Sequence, residues 1–109
     1  MHQDEIPPGT LDLLILKALA RGGELHGYEI ANWIEHVSND VLQVEEGSLY
    51  PALQRMLIKG WVTAKWGVTA GNRRARYYRL TPLGRKQLEV EVSQFERVMQ
   101  AITRAIQTA

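Results

Sequence analysis

The spacing of apolar positions changes along this chain, and each spacing predicts a different element. Residues 10–20 are apolar on nearly every side of a helix, with Thr10 as the predicted N-cap and Asp12 in the first turn. Residues 27–37 have the spacing of a second helix, and Tyr28 is expected on its inner surface. A helix that is apolar all round is buried on more than one side, so the first helix predicts a surface for a second subunit.

A third amphipathic pattern predicts a helix over residues 48–59, with Ser48 as N-cap and Pro51 in the first turn. Its apolar face comprises Leu49, Leu53, Met56 and Leu57. The side chains that point away from this face are Tyr50, Pro51, Gln54, Arg55 and Ile58. Gln and Arg can make paired hydrogen bonds with the edges of adenine and guanine. Taken alone, however, the pattern favours an ordinary amphipathic surface helix.

A β-hairpin is predicted directly after this helix. Apolar and polar residues alternate from Val62 to Val68, which indicates a strand. A second strand, rich in Tyr and Arg, is predicted over residues 75–80. Between them, Gly71-Asn72 can supply the positive φ of a tight or bulged turn.

Centring the hairpin on that turn places Trp66 opposite Tyr77, as an aromatic cross-strand pair. Arg73 and Arg74 then lie at the tip, where no nearby acidic residue in the sequence balances their charge. Solubility is the alternative explanation for exposed arginines at a hairpin tip. A shorter alternation over residues 42–44 predicts one more strand, packed beside the hairpin.

The last helix is predicted to start at Thr81-Pro82, an N-cap followed by proline at the first helical position, and to run to about residue 106. Apolar residues recur along it at the spacing of a heptad seam, namely Leu88, Val92, Phe95, Met99, Ile102 and Ile106. A domain this small covers only part of so long a helix. We therefore expect a homodimer whose interface combines this seam with Leu11 and Ile15 of the first helix.

The middle of the seam is also the candidate site for a small molecule. If two copies of the last helix meet near a two-fold axis, Val92, Phe95 and Met99 could line a pocket for a planar hydrophobic ligand. The alternative is that Phe95 belongs to a closed dimer core, and the residues favour this alternative.

Charge is segregated along the chain although the net charge is only +1. Residues 1–46 carry nine acidic and two basic residues, whereas residues 47–88 carry nine basic residues and no acidic one. One basic face on a near-neutral body is typical of a nucleic-acid-binding protein, with salt-sensitive affinity. A helix that fits the major groove, followed by a hairpin with a basic tip, predicts the recognition helix and wing of a winged helix-turn-helix protein.

The composition excludes several other classes. At 109 residues and 45% hydrophobic content the chain has one modest core, and it contains no cysteine for disulfides or thiolate metal sites. His26 and His36 are ten residues apart without a third ligand at useful spacing, so local hydrogen bonding is preferred over a metal site. No nucleophile–base constellation, cofactor motif, signal peptide or membrane-length apolar run is seen, which predicts a cytoplasmic protein that is neither an enzyme nor membrane-bound.

The predicted fold is mainly α with a small β-hairpin wing, an α+β winged helix-turn-helix with a long C-terminal dimerisation helix. Residues 1–9 are expected to be a flexible arm, residues 10–81 the DNA-binding domain and residues 82–109 the dimerisation helix. The residues expected to contact DNA are Ser48, Tyr50, Gln54, Arg55, Lys59, Asn72, Arg73, Arg74 and Arg76.

Several short motifs together resemble a known family. They are Gly9-Thr10-Leu11, Leu25-His26-Gly27-Tyr28-Glu29-Ile30, Gly47-Ser48-Leu49-Tyr50-Pro51-Ala52-Leu53, Gly60-Trp61, Asn72-Arg73-Arg74 and Tyr77-Tyr78-Arg79-Leu80-Thr81, followed by Gly84. Over residues 9–86 the chain resembles the PadR-like transcriptional regulators, in the short branch with a single C-terminal helix. The resemblance implies a dimeric winged-helix DNA-binding regulator, commonly a repressor. Some short-branch members bind planar drugs at the dimer centre through an aromatic residue on the last helix, and Phe95 is similar in position although smaller than their tryptophan.

Two alternatives to a DNA-binding regulator are open from the sequence. A winged-helix module that binds only proteins would not need the nine basic residues of residues 47–88. A winged helix that binds RNA would have no role for the outward face of the third helix, because the major groove of A-form RNA is too narrow for a helix.

Overall fold

The computed structural model describes residues 4–7 and 9–108, which form four helices and five strands. The elements are β1 (Asp4–Glu5), α1 (Leu11–Gly22), β2 (Glu24–His26), α2 (Gly27–Val37), β3 (Leu42–Gln43), α3 (Glu46–Ile58), β4 (Val62–Val68), β5 (Arg74–Leu80) and α4 (Pro82–Gln107). The predicted helices and both strands of the hairpin are therefore present, with shifts of one or two residues at some ends.

The hairpin formed by β4 and β5 gains a third strand, in the order β2-β5-β4, with both pairings antiparallel. The prediction that residues 42–44 supply this strand is wrong, because β3 pairs in parallel with β1 instead. β2 has only three residues, too few to show an alternating pattern in the sequence. Part of the predicted flexible arm is thus strand β1, while residues 1–3 and 8 of that arm lie outside the described residues.

The core lies where α1, α2 and α3 pack on one another and on β5. Its largest fully buried side chains are Ile15, Leu16, Leu19, Ile30, Ile34, Leu49, Leu53 and Met56. Ile15, predicted at the dimer interface, is 0% exposed within its own protomer and cannot reach a partner. The reason is that α1 is covered by its own domain on several sides, so its apolar surface is used mostly inside the protomer.

The helix ends differ in how they are capped. Thr10 lies at the predicted N-cap of α1 but makes no side-chain cap, since its hydroxyl donates to the carbonyl of Pro7 at 2.7 Å. α3 begins at Glu46, so Ser48 lies inside the helix rather than capping it, and Pro51 falls in the second turn. Thr81 caps α4 as predicted, because its hydroxyl accepts the N–H of Gly84 at 3.0 Å.

α4 is long relative to the domain that carries it. Its 26 residues span about 39 Å, and its first half packs on α1 through residues that include Leu88. Beyond Val92 the seam is exposed: Phe95 is 41% exposed and Ile106 77%. No helix among the described residues is both long and apolar enough to cross a membrane.

Candidate nucleic-acid interface

The structure confirms the predicted division of α3 into a buried and an outward face. Leu49, Leu53 and Met56 are buried, while Tyr50 and Gln54 are exposed. At 3.6 residues per turn, Gln54 lies about 150° from the centre of the buried face. Gln54 therefore projects most directly outward among the predicted base-contacting side chains.

Arg55 lies instead on the flank of α3 that faces α1. Its guanidinium donates a hydrogen bond to the carboxylate of Asp12, with 3.1 Å between Nη2 and Oδ1. The two residues are 43 positions apart in the chain, so no local pattern could indicate the contact. As a result, Arg55 is already paired with the carboxylate of Asp12 in the free protein.

The register of the hairpin differs from the prediction by one residue. Trp66 lies opposite Arg76, and Tyr77 lies opposite Lys65, so the predicted Trp66–Tyr77 pair is wrong. The cause is the connection, whose five residues are centred on Gly71 rather than between Gly71 and Asn72. Asn72 supplies the positive φ, at 61°, as the sequence indicated.

The tip of the wing carries a stacked cation. The guanidinium of Arg74 lies over the exposed ring of Trp66, 4.6 Å from the ring centroid, while Arg73 and Arg76 are also exposed. A cation over an aromatic face is attracted by the ring quadrupole. Trp66 therefore holds one of the predicted DNA-contacting arginines, a role that the wrong register concealed.

A cleft of about 760 Å³ lies between the start of α2, the outward side of α3 and the wing. It brings predicted residues of both elements together, with Tyr50 on one wall and Arg73, Arg74 and Arg76 on the other. Tyr28, expected on the inner surface of α2, is wrongly placed by the sequence: it is 69% exposed and lines the cleft. The position of Tyr28 in the first turn of α2, opposite the buried Ile30 and Ile34, explains its exposure.

The remaining predicted DNA contacts are distributed unevenly. Asn72 is exposed at the tip, and Ser48 is exposed near the start of α3, where it lines a separate groove with Gln43. Lys59 lies beyond the end of α3 with its ammonium 4.6 Å from the ring centroid of Trp61. The cleft is lined by four of the nine predicted residues, namely Tyr50, Arg73, Arg74 and Arg76. The structure does not gather the other five there, which are Ser48, Gln54, Arg55, Lys59 and Asn72.

The walls of the cleft are fixed by close packing. A Cβ atom on Gly27 would lie 2.7 Å from the hydroxyl oxygen of Tyr50, so a larger residue at this position would displace that ring from the start of α2. Burial raises the pKa of the Tyr78 phenol, against the opposing charge of Arg76, and keeps that hydroxyl protonated. Tyr50 of α3 thus lies against the start of α2.

His26 closes this corner through local hydrogen bonds, as predicted. Its Nδ1 accepts the N–H of Glu29 at 3.4 Å, and the Glu29 carboxylate accepts the N–H of His26, which together cap α2. The His26 ring also meets Tyr77 edge to face, with 5.3 Å between centroids. Among the described residues no group of three potential metal ligands is found.

The basic residues are partly balanced by acids from earlier in the chain. Glu24 of β2 lies 3.3 Å from the Lys65 ammonium and 4.0 Å from Nε of Arg79. The nine basic residues of residues 47–88 are therefore not all without an acidic partner, since Arg55, Lys65 and Arg79 each have one. Strand β2, which the sequence did not indicate, brings Glu24 to the base of the wing.

The candidate effector residues do not share one cavity within the protomer. A groove of about 270 Å³ runs between the start of α1 and the middle of α4, and it is lined by Leu13, Phe95 and Val98. Val92 and Met99, the other two residues of the predicted pocket, do not line it. Phe95 thus faces α1 of its own protomer on one side and is open on the other.

Comparison with known proteins agrees with this architecture. A model of the transcriptional regulator PadR-like family matches residues 15–90. A protein of Lysinibacillus sphaericus, described only as uncharacterised, is 31% identical over 102 residues, which cover 94% of this chain and 93% of that protein. A transcriptional regulator from Clostridium thermocellum has a similar structure, with a TM-score of 0.80 and 29% identity over 88% of this chain and 92% of its own.

Two further structures are informative. A PadR-like transcriptional regulator from Bacillus cereus matches with a TM-score of 0.76 and 26% identity, over 93% of this chain and 95% of its own. Bacillus subtilis PadR, solved in complex with operator DNA, matches with a TM-score of 0.66 and 25% identity, over 76% of this chain and 46% of its own. The winged-helix fold is confirmed by these likenesses, and the matched family consists of transcriptional regulators rather than enzymes. With a family match that extends from α1 into α4, the chain belongs to the PadR-like family of transcriptional regulators.

Proposed function

We propose that this regulator is a homodimeric repressor that binds an inverted-repeat operator, with α3 in the major groove and the wing along the adjacent backbone. The observation that carries the proposal is the shared cleft, where Tyr50 of α3 faces Arg73, Arg74 and Arg76 of the wing. A helix with an outward glutamine can read base edges, and exposed arginines beside it can bind phosphates. The operator complex of the related Bacillus subtilis protein supports duplex DNA as the partner.

The dimer is proposed from the unused surface of α4. Phe95, Met99, Ile102 and Ile106 form one stripe whose side chains are all at least 36% exposed in the protomer. A partner helix packed along this stripe would remove it from water, and burial of apolar surface is the main driving force for association. Two recognition helices would then read half-sites about 34–36 Å apart, which explains the choice of an inverted repeat.

Release by a planar hydrophobic molecule is the regulatory part of the proposal. The groove beside Phe95 adjoins the stripe that the partner helix would cover, so a ligand there would contact α1 and α4 together. A ligand that binds the released arrangement more tightly than the DNA-bound arrangement would shift the protein toward release. Repression rather than activation follows only from the family resemblance.

The test is a competition between nucleic acids at fixed salt, with the oligomeric state measured alongside. We expect the protein to select duplexes with an inverted repeat from a randomised pool, and to bind them in preference to random duplex and to structured RNA. Sedimentation should give one dimer per selected duplex, and transcription in vitro from a promoter that carries the selected site should fall. Equal binding of RNA and DNA, or no binding of either, would contradict the proposal.

A further inference from the structure

Two carboxylates hold cations on α3 and at the base of the wing, of which only Arg55 belongs to the set predicted to contact DNA. Asp12 of α1 pairs with Arg55 on one side of the recognition helix, and Glu24 of β2 pairs with Lys65 and Arg79 at the base of the wing. Among the described residues, no acidic side chain lies within ion-pair distance of the tip residue Arg73. Arg55, Lys65 and Arg79 are therefore held by a carboxylate, whereas Arg73 at the tip is not.

The three held cations are exposed enough to be competed for. Their side chains are 53% exposed for Arg55, 69% for Lys65 and 65% for Arg79, whereas the carboxylates are 24% exposed for Asp12 and 30% for Glu24. Ion pairs between exposed side chains are weak and are screened by salt. A DNA phosphate that approaches one of these cations can therefore replace the carboxylate, but it must also approach a second negative charge.

We propose that Asp12 and Glu24 act as internal competitors of DNA phosphates and so determine specificity, by weakening the part of binding that does not depend on sequence. The inference rests on the proposed function, because it assigns a role to residues beside the proposed DNA surface. It also accounts for the position of both acids: each belongs to the part of the chain that precedes residue 47, and each is placed against the basic residues only by the fold.

The competition acts more strongly on random DNA than on the operator. On random DNA the protein can take any register, so a released cation can bind whichever phosphate is nearest. On the operator, contacts of Gln54 to base edges fix the register. Arg55 on the flank of α3 and the two cations at the base of the wing then have fewer phosphates within reach. A carboxylate that holds these cations back therefore lowers random binding by a larger factor than operator binding.

The variants Asp12→Asn and Glu24→Gln test this, since each removes a charge at nearly constant shape. Affinity is measured for the duplex that the wild type selects from a randomised pool and for a random-sequence duplex of equal length. We expect Asp12→Asn to tighten random-duplex binding by about 2- to 5-fold, the range implied by one exposed ion pair. Glu24→Gln, which releases two cations, should also steepen the salt dependence, by up to about 1.8 in log–log slope. For both variants the ratio of operator to random affinity should fall.

Asp40→Asn is the matched control for the change in net charge. Asp40 lies in the turn after α2, at the end of that helix opposite the cleft, with a φ of 61°, which asparagine adopts readily. A second control is Asp12→Asn in an Arg55→Ala background, where most of the gain should disappear. A gain in affinity cannot result from a poorly folded variant. Asp12→Glu keeps the negative charge and should therefore behave like the wild type.

Three results would overturn the inference. If the random-duplex affinity of both variants equals that of Asp40→Asn, the carboxylates are only surface charges. If random and operator affinities rise by the same factor, the carboxylates restrain DNA binding but do not set specificity. A wild-type chain that binds no duplex at all would overturn the proposed function together with this inference, whereas the first two results leave the proposed function intact.

Discussion

Removal of the two arginines at the wing tip should change the salt dependence of DNA binding by a predictable amount. Arg73 and Arg74 are exposed, and Arg74 is stacked on Trp66 at 4.6 Å, so their side chains project from the end of the hairpin. In the double variant Arg73→Ala plus Arg74→Ala, each lost cation leaves about one DNA phosphate that the protein no longer neutralises. That phosphate therefore keeps its counterions when the protein binds. The fold should be unaffected, because neither side chain contributes to the core.

The magnitude follows from counterion release. Each neutralised phosphate contributes about 0.9 to the slope of log affinity against log salt, so two cations contribute about 1.8 per wing. Between about 50 and 200 mM salt, the advantage of the wild type over the variant should then shrink about 12-fold for one engaged wing. A dimer that engages both wings should show a change of about 3.6 in slope.

The assay is a titration of fluorescent duplex at several salt concentrations, for random and selected sequences. Both sequences should lose the same slope, because phosphate contacts carry no sequence information. Arg73→Lys plus Arg74→Lys keeps both charges and should keep the slope. Arg85→Ala plus Lys86→Ala removes two cations from α4, at the opposite end of the hairpin, and is the control for net charge. An unchanged slope in the tip variant would refute the assignment of the wing.

Three further variants test other parts of the structure. Gln54→Ala should lower operator affinity by ~1–3 kcal/mol with little effect on random duplex, and equal losses on both would reassign Gln54 to the backbone. Phe95→Ala should shift sedimentation toward monomer, by up to about 3–5 kcal/mol if the partner encloses the ring. A stable Phe95→Ala dimer that no longer binds planar dyes would instead identify a pocket wall, and a dimer that binds them normally would exclude both roles. Gly84→Ala should lower the free energy of unfolding by ~1–3 kcal/mol or more, because the new Cβ would overlap the backbone carbonyl oxygen of Trp61. An unchanged melting temperature would show that α4 can move away from Trp61.

The elements with long, regular patterns could be predicted from the sequence. α4 was located by its Thr81-Pro82 start and heptad spacing, and the two faces of α3 by the i, i+4 spacing of Leu49 and Leu53. These features are local, since each depends on residues within two or three turns of one another. The motifs that resemble the PadR-like family are local in the same sense.

The features that were missed depend on contacts between distant parts of the chain. β2 is a strand only because β5 offers it an edge, and three residues give no periodic signal. The hairpin register depends on whether the connection is centred on Gly71 or between Gly71 and Asn72. The composition of the connection does not distinguish these two possibilities. The pairing of Asp12 with Arg55 joins residues 43 positions apart, so the electrostatics of the site could not be obtained from charge counts.

The extent of β2 divides the wing into two mechanically different parts. β2 pairs with Tyr77, Tyr78 and Arg79, so at this end the hairpin is part of a three-stranded sheet with β5 in the centre. From Trp66 to Arg76 the hairpin has two strands alone, and an isolated two-stranded ribbon is only marginally stable in water. Amide hydrogens near the tip should therefore exchange much faster than those at the base. Contact between the tip and a phosphate backbone would then order a compliant segment, at an entropic cost that the rigid α3 does not incur.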